Sequence, residues 1–258
     1  METIETGLRE LGSTPAPATL APSVLDELGL GLSYAGVETA VGAVFVAWGA
    51  AGVAVVRPAA TGSDFEALVV RETGRRPRPA REVPASLASV LAPGAPDAAL
   101  QRLGVDLGRL TGFQREVLVK TREIPRGEVR TYGWVAKEIG RPAAVRAVGT
   151  ALARNPVPLV IPCHRVLRGN WRVGQYSCGG PAAKRAVLSS EGVDPDRLEA
   201  LAGAGVRYVG SDTTRIFCVP TCRHARRVLP AHLVSFRGEA DARGAGYRPC
   251  SVCRPVAA

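Results

Sequence analysis

Thr131-Tyr132-Gly133-Trp134-Val135-Ala136-Lys137-Glu138-Ile139-Gly140 runs directly into Arg141-Pro142 and then into Ala143 to Asn155. Thr131 is a side-chain cap for a first helix, Gly140 can end it in a left-handed turn, and Pro142 suits the first turn of a second. Two short helices joined this tightly predict a helix-turn-helix. On the second helix Ala147, Val148, Ala151 and Leu152 make an apolar stripe, while Arg146, Thr150 and Arg154 recur at four-residue spacing on another face. Ala143, Ala144, Ala147 and Gly149 are small, which fits either close approach by a bulky ligand or a tight helix contact.

Working outward, the next stretch is Pro158-Leu159-Val160-Ile161-Pro162-Cys163-His164-Arg165-Val166. Apolar β-prone residues run into a proline that cannot donate to a ladder, so a strand is expected to end there with Cys163 just beyond it. A cysteine is a nucleophile only as thiolate, and a neighbouring base or cation promotes that state. His164 and Arg165 offer one of each.

With these residues in view, Thr111 to Glu191 resembles the catalytic domain of the O6-alkylguanine-DNA alkyltransferases. The resemblance rests on Phe113-Gln114, Ile124-Pro125-Arg126-Gly127, Tyr132-Gly133, Arg146-Ala147-Val148-Gly149, Asn155-Pro156, Pro162-Cys163-His164-Arg165-Val166, Gly174-Gln175-Tyr176, Lys184 and Glu191. It implies a protein that flips a damaged nucleotide out of duplex DNA from the minor groove. By position, Cys163 is the methyl acceptor, Glu191 orients His164, and His164 takes the thiol proton through a water. Tyr132 is the donor to departing guanine, and Asn155 braces the active-site turn. Arg146 fills the vacated stack, Tyr176 and Ser177 bind O6, and Thr131 and Arg165 belong to the substrate and DNA-binding set. S-methylcysteine is a stable thioether, so each molecule is expected to act once. Between Tyr176 and Lys184 the chain is one residue longer than the family pattern, with Cys178 as the apparent insertion.

The charge is segregated. Residues 1–98 carry 7 basic and 11 acidic side chains (−4), residues 99–191 carry 16 and 6 (+10), and residues 192–258 carry 10 and 6 (+4). Only three of the 33 basic residues are lysine, a bias that weakens arginine abundance as a signal, but not its segregation toward a polyanionic partner. Residues 1–30 lack the basic start and cleavage site of an export signal and read as a disordered leader. Thr39 to Val56 is uncharged over 18 residues, but Trp48-Gly49-Ala50-Ala51-Gly52 reads as a hairpin turn between Val-rich strands, which argues against a membrane helix. Asp64 to Arg75 reads as a helix and Arg76 to Pro96 as a Pro-rich connection.

After a helical linker, Asp194 to Ala204, come Cys218-Val219-Pro220-Thr221-Cys222 and Cys250-Ser251-Val252-Cys253. Two close cysteine pairs suit a tetrahedral zinc site of four thiolates; without an export signal, disulfides are disfavoured. Tyr208, Thr213-Thr214, Ile216-Phe217-Cys218, Gly246-Tyr247-Arg248-Pro249-Cys250 and Cys253-Arg254-Pro255 are similar to the metal-binding domain of the Ada adaptive-response protein. That resemblance implies Zn²⁺ on Cys218, Cys222, Cys250 and Cys253, with Cys218 accepting methyl from DNA methylphosphotriesters. In Ada the module leads the chain and an activator domain follows; here it trails, so transcriptional activation is not expected.

The expected fold is multi-domain, α+β and α: leader 1–30, a small α/β domain 31–98, a mainly helical alkyltransferase domain 99–193 and a four-cysteine zinc domain 206–258. The expected protein is a cytoplasmic, nucleoid-associated monomer acting on alkylated double-stranded DNA, with zinc, no organic cofactor and no membrane. Two alternatives stay open: repair at Cys163 alone beside a structural or DNA-binding zinc module, or a methylation-dependent DNA-binding regulator.

Overall fold

The computed structural model describes residues 31–92 and 94–255, together with Val24 and Leu28. The expected leader therefore lies almost wholly outside the described residues. The first unit is a four-stranded sheet of β1 (Leu32–Thr39), β2 (Gly42–Gly49), β3 (Gly52–Arg57) and β4 (Pro77–Pro79) in the order β3-β2-β1-β4. The first three pair antiparallel and β4 runs parallel to β1. The uncharged run is the β2–β3 hairpin, turning through Ala50-Ala51 with Gly52 at φ 109°. It is apolar throughout because both faces are covered. Val44, Val46, Val53 and Val56 join the central core, while Ala47, Ala54 and Val55 pack with Phe65 and Val69 of α1 (Gly62–Thr73). A register shift at Ala47/Trp48 leaves Ala54 as the extra residue and turns the strand's end. No helix among the described residues is long and apolar enough to cross a membrane.

The Pro-rich connection is more ordered than expected: it holds β4 and α2 (Ala85–Leu91), whose Leu87 and Leu91 enter the central core. Next come α3 (Asp97–Arg102) and α4 (Gly112–Arg122), the latter started by a capping box between Thr111 and Gln114. Strand β5 (Arg130–Thr131) leads into α5 (Tyr132–Glu138), with Thr131 Oγ1 accepting from Trp134 N at 3.0 Å. Gly140 ends the helix region at φ 72°. The partner helix α6 begins at Val145 and ends at Ala153, so Pro142 lies in the turn before it rather than in its first turn. Val148, Ala151 and Leu152 are buried, whereas Ala147 is exposed with Ala143, Arg146, Thr150 and Arg154. The small residues thus leave part of one face of α6 open.

The expected strand before Cys163 is absent. Pro158 and Ile161 bridge across a tight turn with Leu159 at φ 73°, and Cys163–Arg165 form a 3₁₀ turn leading into β6 (Val166–Leu167), which pairs parallel with β5. Pro156, Pro158 and Pro162 withhold three amides, too many for a ladder. Helix α7 (Gly180–Ser190) and α8 (Pro195–Gly203, capped by Asp194) lead to the last unit. There β7 (Tyr208–Ser211), β8 (Ile216–Cys218), β9 (Leu233–Phe236) and β10 (Arg248–Pro249) form a sheet in the order β10-β8-β7-β9, with α9 (Glu239–Gly244) before β10. Its core is continuous with Val129, Leu167, Trp171 and Leu188.

Candidate active site and metal centre

Everything at Cys163 is organised by Asn155, which is fully buried just past the end of α6. Its Nδ2 donates to Ile161 O at 2.9 Å and contacts Cys163 Sγ at 3.2 Å, and its Oδ1 accepts from Val157 N at 3.1 Å. One carboxamide therefore closes the turn and touches the sulfur. Burial pushes the Cys163 thiol up, against the pull of Asn155, Lys184 and Arg57. The resting sulfur is a thiol that needs a base.

His164 is that neighbour, only 1% exposed. Its Nε2 lies 3.0 Å from Glu191 Oε1, while its Nδ1 is buried with no partner among the described residues. Burial lowers the imidazole pKa against the raising effect of Glu191, which favours a neutral ring. With Nε2–H given to Glu191, the Nδ1 lone pair is free to accept a proton. Arg165 is 2% exposed. Its Nε and Nη2 grip Glu191 at 2.8 and 2.7 Å, and Nη1 donates to Asp97 Oδ1 and Ile124 O. The DNA contact expected of Arg165 does not fit this placement: its guanidinium is spent on holding Glu191.

Burial alone would raise the Glu191 carboxyl, but His164 and Arg165 outweigh it and bring it from 4.5 to about 2. A carboxylate with a lowered folded pKa stabilises the fold above its unfolded value, and that contribution fades as pH falls toward the folded one. Stability should therefore drop by roughly 2–3 kcal/mol between pH 4.5 and 2 on this account. Urea unfolding across that range should show a smaller drop in Glu191→Gln than in the parent. Equal slopes would mean that Glu191 is not held this way.

Two further cations flank the sulfur. Lys184 is 1% exposed, and its Nζ donates to Val166 O at 2.7 Å; burial brings its pKa down to about 8, with Cys163 opposing. Arg57, on β3, donates to Asn155 O at 2.7 Å and Pro156 O at 3.0 Å, tying the N-terminal sheet to the Cys163 turn. In sequence Lys184 stands only among the residues that carry the resemblance, and Arg57 has no local signal, since 98 residues separate it from Asn155.

Of the other expected residues, Tyr132 is half-buried at the start of α5; burial raises its pKa, with Cys163 adding to the shift. Tyr176 is buried with its ring 6.0 Å from that of His164 and its OH unpartnered among the described residues. Arg146 and Ser177 are exposed, and Thr131 caps α5. Cys178 is 1% exposed in the same core as Cys163, its thiol pushed up to about 11 by burial.

In the last unit the four sulfurs of Cys218, Cys222, Cys250 and Cys253 lie within 4.8 Å of one another, all on buried residues. Zn–S bonds of ~2.3 Å in a tetrahedron place sulfurs about 3.8 Å apart, so this donor set fits Zn²⁺ and no other protein ligand is needed. Cys218 and Cys253 hydrogen-bond to Cys222 and hold its thiol down, while their own are raised. Cys218 and Cys250 also line a cavity of about 540 Å³ with Thr213, His224, Arg227 and Arg248; Cys222 and Cys253 do not.

The two centres are thus a buried cysteine beside a histidine–glutamate–arginine set and, at the C-terminal side, a four-cysteine cluster that fits zinc. Residues 112–193 match the family described as 6-O-methylguanine DNA methyltransferase, DNA binding domain, and residues 201–256 match the metal binding domain of Ada. Relatives named methylated-DNA–protein-cysteine methyltransferase include one from Methanosarcina acetivorans, 51% identical over 82 residues, covering 32% of this chain and 52% of that protein. Another, from Mus musculus, is 44% identical over 95 residues, covering 36% of this chain and 44% of that protein. The chain thus spans about half the length of the curated relatives it matches. A crystal structure of Mycobacterium tuberculosis OGT in complex with DNA aligns with 64% of this chain and 98% of that one, at 27% identity and a TM-score of 0.49.

Proposed function

We propose that this chain repairs alkylated double-stranded DNA by moving the methyl group of O6-methylguanine onto Cys163, once per molecule. The observation that carries the reading is the buried set Asn155–Cys163 and His164–Glu191–Arg165 behind a helix pair with an open face. His164 Nδ1 takes the Cys163 proton through a water; the thiolate attacks the methyl carbon, forming S–C as C–O6 breaks. The electron pair leaves on guanine, which receives a proton from Tyr132. Arg146 on the exposed face of α6 enters the stack vacated by the flipped base, while Tyr176 and Ser177 border the base pocket, and Thr131 sets the start of α5.

A second transfer, from DNA methylphosphotriesters to Cys218, is favoured by one observation. Cys218 lines an arginine-bearing cavity that Cys222 and Cys253 do not reach. Bound zinc would keep these sulfurs deprotonated at neutral pH. Arg227 and Arg248 are placed to hold the phosphate oxygens. The reading takes the chain as a cytoplasmic, nucleoid-associated monomer with domains at 31–98, 99–193 and 206–258. Helix α3 crosses the first of those boundaries.

The test is peptide-mapped intact mass after incubation with two duplexes, one carrying O6-methylguanine and one carrying only methylphosphotriesters. One methyl on Cys163 from the first and one on Cys218 from the second are expected. Methyl on Cys163 alone would reduce the zinc domain to a structural or DNA-binding part, and methyl on neither would sink the whole reading.

A further inference from the structure

Between the zinc unit and the helix-turn-helix lies a cavity of about 310 Å³ that the active-site chemistry does not use. Arg126, Arg130 and Trp134 line it from one side and Arg223, Arg226 and Arg254 from the other. Two of these charges are already neutralised. Arg130 pairs with Glu128 at 2.7 Å, both nearly fully buried, and Arg254 pairs with Glu138 at 2.5 Å. Glu123, also on the cavity wall, pairs with Lys120. Arg126, Arg223 and Arg226 have no carboxylate within ion-pair distance among the described residues. The Arg126 side chain donates only to the carbonyls of Ala95 and Ser190, and Arg223 and Arg226 are exposed.

The placement of the three is built rather than loose. The Arg223 backbone N donates to Glu128 Oε1 at 3.1 Å, so the residue is anchored to the opposite unit. Arg226 lies over Gly127, at φ 73°, where an added Cβ would stand 3.3 Å from its Nη1. Three unneutralised guanidiniums around one cavity repel one another, and a single tetrahedral oxyanion relieves that repulsion. Guanidinium forks match its geometry through paired N–H donors.

We infer that this cavity is a phosphate-binding site shared between the two units, with Arg223, Arg226 and Arg126 as its ligands. The phosphate is a backbone phosphodiester of the duplex held by α5 and α6; only that last assignment rests on the function proposed above. Its effect is to make the zinc unit part of the DNA footprint on the alkyltransferase side, independent of any methyl transfer to Cys218.

The test compares the full-length parent with R223A/R226A and with R237A/R243A, a charge-matched control whose side chains do not line the cavity. Circular dichroism and zinc content should be unchanged in both. Affinity for an undamaged duplex, measured by anisotropy over a salt series, should show a log–log slope shallower by about 0.9 in R223A/R226A, the value for one lost phosphate contact. The control should show no such change. In a second arm, inorganic phosphate is titrated calorimetrically at constant ionic strength. Uptake by the parent that disappears in R223A/R226A, with unchanged duplex slopes, supports the site but assigns it to free phosphate. Equal slopes together with no phosphate uptake overturn the proposal. A parent that binds phosphate here yet no duplex leaves the site standing and removes the DNA-repair reading instead.

Discussion

Cys163→Ala is expected to take up no methyl from O6-methylguanine, and Asn155→Ala to slow uptake by about ten- to a hundred-fold while also weakening the fold. The first variant sets the baseline, because no other buried thiol has His164 beside it in sequence and Asn155 against its sulfur. The second follows from what one carboxamide does. Its contact with Cys163 Sγ becomes a hydrogen bond to a charged group as the thiolate forms, worth about 1.5–3 kcal/mol, and each ~1.4 kcal/mol is tenfold in rate. Alanine would also orphan Val157 N in a buried turn, at about 1–3 kcal/mol, and would leave Ile161 O with Cys163 N as its remaining donor. Single-turnover kinetics under excess protein, with urea unfolding alongside, checks both parts. A normal rate in a destabilised Asn155→Ala would limit that residue to bracing the turn.

The helix-turn-helix and the cysteine cluster were legible because their signals are local. Thr131 caps what its side chain suggests, Gly140 terminates, and two Cys pairs converge as their spacing implies. Errors arose where tertiary contacts decide. Val160 and Ile161 read as a strand by propensity, but the Asn155 carboxamide and three prolines make them a turn. The resemblance places Arg165 in the substrate and DNA-binding set; the fold buries it on Glu191, 26 residues away. Arg57 and the Trp134–Cys253 contact join segments 98 and 119 residues apart, and no periodicity within either segment points to the other.

Loss of the metal is expected to destabilise more than the zinc unit. Trp134 Nε1 of the helix-turn-helix donates to Cys253 O at 3.0 Å, Val129 N donates to Thr221 Oγ1 at 2.9 Å, and Trp171 Nε1 donates to Arg207 O at 2.9 Å. Leu167, Trp171 and Leu188 share one core with Phe217, Cys222 and Cys253. Structural zinc contributes about 10–16 kcal/mol of apparent binding energy, comparable with or above the 5–15 kcal/mol that holds a typical domain together. Without it the four buried thiols have nothing to converge on, and β7 to β10 lose their centre. Unfolding them would expose the back of the helix-turn-helix unit to water and exchange the Trp134 and Val129 hydrogen bonds for water, at about 0.5–1.5 kcal/mol each, on top of the apolar surface uncovered. At roughly 2–4 °C per kcal/mol for a chain of this size, the midpoint of the remaining fold should fall by about 5 °C or more. Calorimetry with and without a strong chelator, repeated on Cys222→Ser, measures it, and amide exchange should speed up at β5 and α5. If chelation removes one transition and leaves the other in place, the two units are independent and the shared core contributes little. A joint fall would mean that the fold around Cys163 depends on metal supply, whether or not Cys218 takes part in any chemistry.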